Sequence, residues 1–306
     1  MKKVTIVIVN WNGSRDTGAC LSSIQKLHTP HVSIHTVVVD NGSTDDSVAK
    51  LSTSYPWVTI LTLDKNLGFT GGNNVGLRYA LLHGADYVWL LNNDTIVDKE
   101  ALSLVHAFDD SRVGIAGSKI YFAPGHEYHK GRYTQKEQGK VFWYAGGLVD
   151  WDNMYASHRG VDEVDTGQYD TEEETPFITG CSMMIARNVL ETIGLLDEKF
   201  YLYLEDLDYG LRASRAGFRL LYYPKSVIWH LNAGSSGGAG NPLHDYYITR
   251  NRLLVGLRYA PIRTKIALIR EALGFLYGKN PEKKRAVTDF FFGKFGKQYE
   301  PKKTYT

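Results

Sequence analysis

The sequence predicts an α/β protein built on a mostly parallel sheet flanked by helices, and three observations carry that prediction. Runs rich in β-branched residues at 4–9, 35–40, 58–63 and 87–91 alternate with helical patterns at 17–27, 44–51 and 73–83. The runs are apolar along nearly their whole length, as in strands buried on both faces, and strands alternating with helices pair in parallel through right-handed crossovers. Most of them end in polar turn residues, Asn10-Trp11-Asn12-Gly13, Asp40-Asn41-Gly42-Ser43 and Asn92-Asn93-Asp94. Ligands of such sheets bind beyond the carboxyl ends of the strands.

The N-terminal MKKVTIVIVNWNG reads as the first strand, not as a signal peptide, because its apolar run is short and no small-residue cleavage site follows. After Asp94 the alternation weakens. A helix is expected at 99–108 and a strand at 113–120, followed by a polar, aromatic segment at 122–176 that reads as a loop or lid and ends in the acidic DEVDTGQYDTEEE. Order returns with an apolar segment at 177–186, helices at 187–193 and 205–217, and a strand at 220–229. The stretch NAGSSGGAG, 232–240, reads as a mobile loop.

At 306 residues, 43% hydrophobic and 22% charged, the chain suits a soluble globular protein of one large domain or of a domain with an appendage. No window offers the roughly 18 apolar residues of a membrane span. Two cysteines, Cys20 and Cys181, are too few for a disulfide framework and read as buried thiols of a reducing cytoplasm. The net charge of +2 conceals an asymmetry: from Arg250 onward 14 Lys and Arg face 4 Asp and Glu, about +10, leaving about −8 in the body. Within that tail, 263–277 and 290–295 place apolar residues at helical spacing among the cations, as helices lying on an anionic membrane do. Peripheral attachment to the inner face of the cell membrane is the expectation, with no nucleic acid among the partners.

Candidate functional residues cluster at the strand ends. In NLGFTGGNNVG, 66–76, the bare backbone of Gly68, Gly71 and Gly72 followed by a helix start suits a phosphate or a nucleotide sugar, or else a turn packed tightly on the sheet. It lacks the GxGxxG and GK[ST] spacings of dinucleotide and P-loop sites. The carboxylate of Asp40 can accept from a base imide or a ribose. In Leu90-Leu91-Asn92-Asn93-Asp94 an apolar strand runs into three small oxygen-bearing side chains, and Asp94 suits a hard cation such as Mg²⁺ or Mn²⁺ shared with substrate phosphates. Glu205, Asp206 and Asp208 crowd one helix start. Asp208 can pair with Arg212 one turn on, leaving Glu205 or Asp206 for acid or base chemistry. His230 closes a strand as a candidate ligand. Tyr247, Arg250 and Asn251 share a helix, and the arginine suits a diphosphate.

Taken in series, VIVNWNG, DNGSTDDS, NLGFTGGNNVG, LLNNDT, DTGQYD, FITGCSMM, YLEDLDYGLR, VIWH and YYITRN resemble the inverting family 2 glycosyltransferases of the GT-A fold, in particular their rhamnosyltransferase-like branch. The resemblance covers about 1–255. It implies a Rossmann-like nucleotide-binding half at 1–120, an acceptor half at 121–255 and a basic amphipathic helical tail at 256–306. It assigns Asn10 and Asp40 to the base and ribose, and Gly68, Phe69, Gly72 and Asn73 to the ribose and sugar side, with Asn93, Tyr247, Arg250 and Asn251 also at the donor. Asp94 closes an Asp-x-Asp metal motif, His230 matches a later metal ligand, and Asp206 matches the catalytic base. Asn92 departs from the aspartate many relatives carry. The implied reaction moves a sugar, rhamnose in the branch it most resembles, from a nucleotide-diphosphate sugar to a glycan or lipid-linked acceptor of cell-surface polysaccharide synthesis. A sugar nucleotidyltransferase would share the sheet and the metal but needs a glycine- and lysine-rich first loop, absent from VNWNGSRDTG. An inactive nucleotide-sugar-binding protein would tolerate loss of the base, against which the intact EDLD argues.

Overall fold

The structure, a computed structural model, describes residues 1–129, 131–231 and 240–300. The strands are β1 (Lys2–Asn10), β2 (Val32–Asp40), β3 (Thr59–Thr62), β4 (Tyr87–Leu91), β5 (Thr95–Val97), β6 (Val113–Phe122), β7 (Phe142–Tyr144), β8 (Gly147–Asp150), β9 (Tyr155–His158), β10 (Glu173–Glu174), β11 (Ser182–Ala186) and β12 (Arg219–His230). The helices are α1 (Ser14–Ile24), α2 (Ser47–Ser54), α3 (Gly68–Leu82), α4 (Arg187–Ile193), α5 (Glu205–Arg215), α6 (Pro242–Tyr259), α7 (Ile262–Tyr277) and α8 (Pro281–Phe291), with a 3₁₀ helix at Ala101–Asp109 where an α-helix is expected.

The central sheet runs β10-β12-β6-β11-β4-β1-β2-β3, with β5 on β12 and β7 on β6. The pairs β3–β2, β2–β1, β1–β4 and β6–β12 are parallel, while β11 is antiparallel to both of its neighbours. The carboxyl ends of β1, β2, β4, β6 and β12 therefore share one edge. Ile6, Val7, Ile8, Val37, Val38, Val39, Val88 and Trp89 are wholly buried. Each such aliphatic side chain contributes roughly 1.5–3 kcal/mol. A chain of buried hydroxyls crosses four strands: Trp89 Nε1 donates to Ser182 Oγ (2.9 Å), which bonds Ser118 Oγ (2.8 Å), then Ser226 Oγ (2.8 Å). Burial without partners would be costly, so this chain helps fix the register of the sheet.

The segment 122–176 is not a free lid. It folds as β7 and the β8–β9 hairpin, whose tip docks on the later helices: Arg252 Nη2 donates to Asn153 O (2.7 Å) and Thr264 Oγ1 to Trp151 O (2.9 Å). The acidic run is a set of counterions. Asp165 and Asp170 pair with Lys119, Glu172 with Lys225, Glu173 with Arg159 and Glu174 with Arg219, cations that, Arg159 apart, lie far away in sequence.

The boundary expected at 255 falls inside α6, and the sheet passes from the first half of the chain into the second without a break. The tail returns to the body. Tyr246 Oη donates to Asp289 Oδ2 (2.7 Å), and Leu268, Ala272 and Val287 join the main core. Asn241 and Asn280 each precede a proline and accept from the backbone N–H three residues on, capping α6 and α8. The stretch 232–239 lies outside the described residues.

Candidate active site

The glycine run is the first turn of a helix, not a loop before one. Gly68 has φ +76°, and a Cβ there would lie 2.3 Å from the Tyr201 ring; a Cβ on Gly72 would lie 2.9 Å from Val9 Cγ1 on β1. Amides at this helix start are already committed: Gly68 N donates to Asn66 Oδ1 (2.7 Å), Leu67 N to Asn41 Oδ1 (2.9 Å) and Thr70 N to Tyr201 O (3.3 Å). These three amides are therefore engaged within the chain, and the glycines allow close packing of α3 on β1 and on the turn at 201. Asn73 turns back to Phe69 O (2.9 Å). Asn41, which the sequence reading passed over, ties the end of β2 to this turn through Gly68 O (2.9 Å).

At the ends of β1 and β2, Asn10 Nδ2 donates to Asp40 Oδ1 (2.8 Å) and Thr17 Oγ1 donates to Asn10 Oδ1 (2.8 Å). Asn93 Nδ2 extends the network to Thr17 Oγ1 (3.0 Å), and Asp40 also accepts from Ser43 N (3.0 Å) and Ser43 Oγ (2.6 Å). Three predicted donor residues, Asn10, Asp40 and Asn93, thus form one polar patch.

Asp94 and His230 meet. Leu231 N donates to Asp94 O (2.8 Å), and the buried imidazole brings Nε2 to 3.2 Å from Asp94 Oδ1. Neither ring nitrogen of His230 makes a hydrogen bond among the described residues. An orphaned buried imidazole facing a carboxylate at this separation suits two adjacent ligands of one cation, which lie about 3 Å apart when each bond is about 2.1 Å. Among the described residues no cluster of three or more His, Cys, Asp or Glu surrounds the pair. Substrate oxygens and water would complete such a site, the usual pattern for Mg²⁺. Trp143 packs on His230 with ring centroids 4.5 Å apart, and half-buried His158, its Nδ1 3.1 Å from Trp143 O, is pushed down to about 4 by desolvation. Trp143 on β7 and His158 on β9 both lie in the segment read as a lid, where no local pattern marks them.

Asp206 reaches the same place through α5. Its Oδ2 accepts from Gly180 N (3.1 Å) and Oδ1 from Leu207 N (2.8 Å), while the neighbouring Cys181 O accepts from Asn92 N (3.0 Å). Residues 180–181 therefore bridge Asp206 to the metal-candidate turn, and the Phe69 ring packs on Gly180. Desolvation raises the pKa of Asp206, opposed by the two backbone N–H groups. Glu205 is buried with Oε2 unpartnered; burial, and then the Asp206 charge, hold its carboxyl well above the usual range. Asp208 is taken by Arg212 (3.0 Å), Arg258 (2.8 Å) and Tyr259 Oη (2.7 Å) and is structural.

A folded state whose carboxyls hold protons more tightly than the unfolded chain keeps its full stability below the unfolded pKa and loses stability as pH rises through the raised values. Glu205→Gln removes one such group, so its urea midpoint should exceed the parent's at about pH 8 by more than at about pH 5. Equal differences at both pH values would show that Glu205 is not held protonated.

Tyr247, Arg250 and Asn251, expected at the donor, are engaged within the chain. All three are wholly buried. Arg250 donates to Lys199 O (2.9 Å), Phe200 O (2.8 Å) and Gly296 O (2.7 Å), and its guanidinium lies 4.9 Å over the Tyr247 ring. Asn251 Nδ2 reaches Phe200 O (3.0 Å), Leu202 O (2.7 Å) and Tyr203 O (2.9 Å). These side chains clamp the turn that delivers α5, in which Tyr201, Tyr203 and Leu204 all have positive φ.

The model of the family described as "Glycosyltransferase like family 2" matches residues 2–250. The chain is 26% identical to the low-salt glycan biosynthesis hexosyltransferase Agl10 of Haloferax volcanii over 71% of its own length, spanning 63% of that relative. It is 25% identical to the N-acetylglucosaminyl-diphospho-decaprenol L-rhamnosyltransferase of Mycobacterium tuberculosis, covering 76% of this chain and 77% of that one. For the dTDP-rhamnosyl transferase RfbF of Shigella flexneri the identity is 23%, over 81% and 78%. The fold is that of the mannosyltransferase PcManGT from Pyrobaculum calidifontis, solved with GDP-Man and Mn²⁺ (TM-score 0.55, 17% identity, 95% of this chain and 74% of that one). It is likewise that of GalNAc-T7, solved with UDP, GalNAc and Mn²⁺ (TM-score 0.66, 17% identity, 95% and 55%).

Proposed function

The chain belongs to glycosyltransferase family 2, and from that premise we propose that it transfers a sugar, with inversion, from a nucleotide-diphosphate donor to a glycan or lipid-linked acceptor in surface polysaccharide synthesis. The observation that carries the reading is the meeting of Asp94 and His230 at the carboxyl edge of the sheet, with Asp206 tied to the same turn through residues 180–181. Rhamnose is the sugar the two rhamnosyltransferase relatives favour.

Asp94 and His230 would hold a divalent cation, Mg²⁺ or Mn²⁺, whose charge would offset that developing on the leaving diphosphate. Asp206, its oxygens oriented by Gly180 N and Leu207 N, takes the proton of the attacking acceptor hydroxyl. The Asn10–Asp40 patch receives the base and ribose. One displacement inverts the anomeric carbon. A panel of GDP, UDP and dTDP sugars with either metal tests the reading by thermal shift. The cognate donor at about 100 times its Kd should stabilise by about 2.7 kcal/mol, and a chain that no nucleotide sugar stabilises would refute it.

Asp94→Ala and His230→Ala should each weaken Mn²⁺ binding in the presence of donor, read by electron paramagnetic resonance, by at least the roughly 10- to 100-fold that outer-shell changes alone cost metal sites. Unchanged Mn²⁺ affinity in both variants would remove the pair from the site.

The tail is the proposed membrane contact. No described helix is long and apolar enough to cross a bilayer. On α7, Ile262, Ile266, Ile269, Leu273 and Tyr277 form one exposed apolar stripe, with Arg263, Lys265, Arg270 and Lys279 nearby in sequence, while Leu268 and Ala272 face inward. Such a helix lies on an anionic surface at the inner face of the cell membrane, each cation contributing about 1 kcal/mol. The full chain should sediment with phosphatidylserine liposomes at low salt and release as salt rises. Failure to sediment would leave the stripe without this partner.

A further inference from the structure

A cavity of about 800 Å³ opens at the carboxyl ends of β6 and β12, and neither Asp94, His230 nor Asp206 lines it. Its walls include Ile96, Tyr121, Gln138, Lys140, Asp165 and Trp229. In the sheet register Trp229 lies opposite Tyr121 and Ile96, while His230 lies opposite Phe122 and Thr95. Successive strand residues face opposite sides, so the cavity and His230 stand back to back across β12. We propose that this cavity is a saccharide subsite that holds a part of the glycan acceptor remote from the transfer point, an inference that rests on the glycosyl-transfer reading.

The chemistry of the walls selects the ligand. Two aromatic rings, Tyr121 and Trp229, stand with centroids 6.4 Å apart at 37° and present apolar surface. Both are fixed: Trp229 Nε1 donates to Gly139 O (2.9 Å), and the Tyr121 hydroxyl donates to Asp165. Lys119, buried beneath, neutralises Asp165 at 2.9 Å and also binds Asp170, so the wall is already ordered before any ligand arrives. A pyranose or furanose ring has a C–H face that packs on aromatic rings and a rim of hydroxyls for a carboxylate, an amide and an ammonium. Asp165, Gln138 and Lys140 supply those three groups. An anionic phosphate would meet the Asp165 carboxylate, whose cation is already taken. The volume lies within the roughly 300–1,000 Å³ of small-molecule sites lined by aromatic side chains with a few polar groups.

Saturation-transfer NMR on the full chain tests this, with a mixture of methyl α-L-rhamnoside, methyl α-D-mannoside, methyl N-acetyl-β-D-glucosaminide, lactose and maltose, the donor site being filled with nucleoside diphosphate and Mg²⁺. At least one saccharide should receive saturation on the C–H protons of one ring face. Trp229→Leu should weaken its binding about fivefold or more, while Trp229→Phe, which keeps an aromatic face, should retain most of it. Nucleotide-sugar hydrolysis, measured alongside, should persist in both variants. Should Trp229→Leu not fold, Gln138→Trp, at an exposed rim position, places an indole across part of the cavity and should diminish the saturation transfer. Undiminished saturation transfer in Trp229→Leu or, where that variant does not fold, in Gln138→Trp, or no saturation received by any saccharide from a chain that hydrolyses its donor, would overturn the subsite. Loss of donor hydrolysis in the parent chain would instead count against glycosyl transfer itself.

Discussion

Asp206→Asn is expected to lower turnover by about 10²- to 10⁴-fold, the usual contribution of a general base, while nucleotide-sugar affinity stays close to the parent's. The amide keeps the shape of the carboxylate and removes the basic oxygen that Gly180 N and Leu207 N orient. In the parent, turnover should rise with pH through a carboxyl pKa above the ordinary range, because burial raises Asp206 and only its ionised form accepts the proton. Single-turnover kinetics with the matched acceptor and donor titration by calorimetry separate the two effects. Near-normal transfer by Asp206→Asn, with transfer abolished in Glu205→Gln, would move the base one residue back.

Arg250→Ala is expected to lower stability by about 3 kcal/mol or more, since it leaves the carbonyls of Lys199, Phe200 and Gly296 buried without donors. Turnover should fall as well, because the clamped turn carries Asp206. Its residues Tyr201, Tyr203 and Leu204 occupy the left-handed region, which costs on the order of 1–3 kcal/mol each and persists only where neighbours over-determine it. Asn251→Ala should act in the same direction through Leu202 O and Tyr203 O. Urea unfolding and donor affinity measured on the same protein discriminate the roles. An arginine that binds diphosphate would lose donor affinity with stability intact, whereas the clamp loses stability first.

Arg250 also shows where sequence reading stops. Its chemistry was legible, an arginine and an asparagine together on a helix, but burial was not. The partners lie about 50 residues away on both sides, in the turn at 199–203 and at Gly296, and no local pattern encodes that meeting. The acidic run at 162–174 misleads for the same reason: in isolation it is a solvated lid, and only the fold brings Lys119, Arg219 and Lys225 to it. Where local chemistry decides, sequence and structure coincide. The strand at 87–91 and the helix at 187–193 have the expected bounds, and Asn-Pro opens both α6 and α8. The pairing of Asp208 with Arg212 followed from helical spacing alone. Asp94 and His230 were each placed at a strand end, and the antiparallel β5–β12 pair, which sets His230 opposite Thr95, brings them together. Glycine run 66–76 lies between these cases: its composition announced a close approach, but only the packing of α3 on β1 identifies a strand and a tyrosine as what approaches.

The two cysteines have a practical consequence. Cys20 and Cys181 are both buried and unpaired, and desolvation pushes the Cys20 thiol up to about 12 and raises that of Cys181 well above its ordinary value. Thiolate, not thiol, attacks a maleimide, so neither should label at neutral pH in the folded chain. A single cysteine introduced on the exposed face of α7, at Ile266 for example, would then be the one reactive thiol, and a polarity-sensitive dye attached there would report contact with a lipid surface without any native cysteine having to be removed.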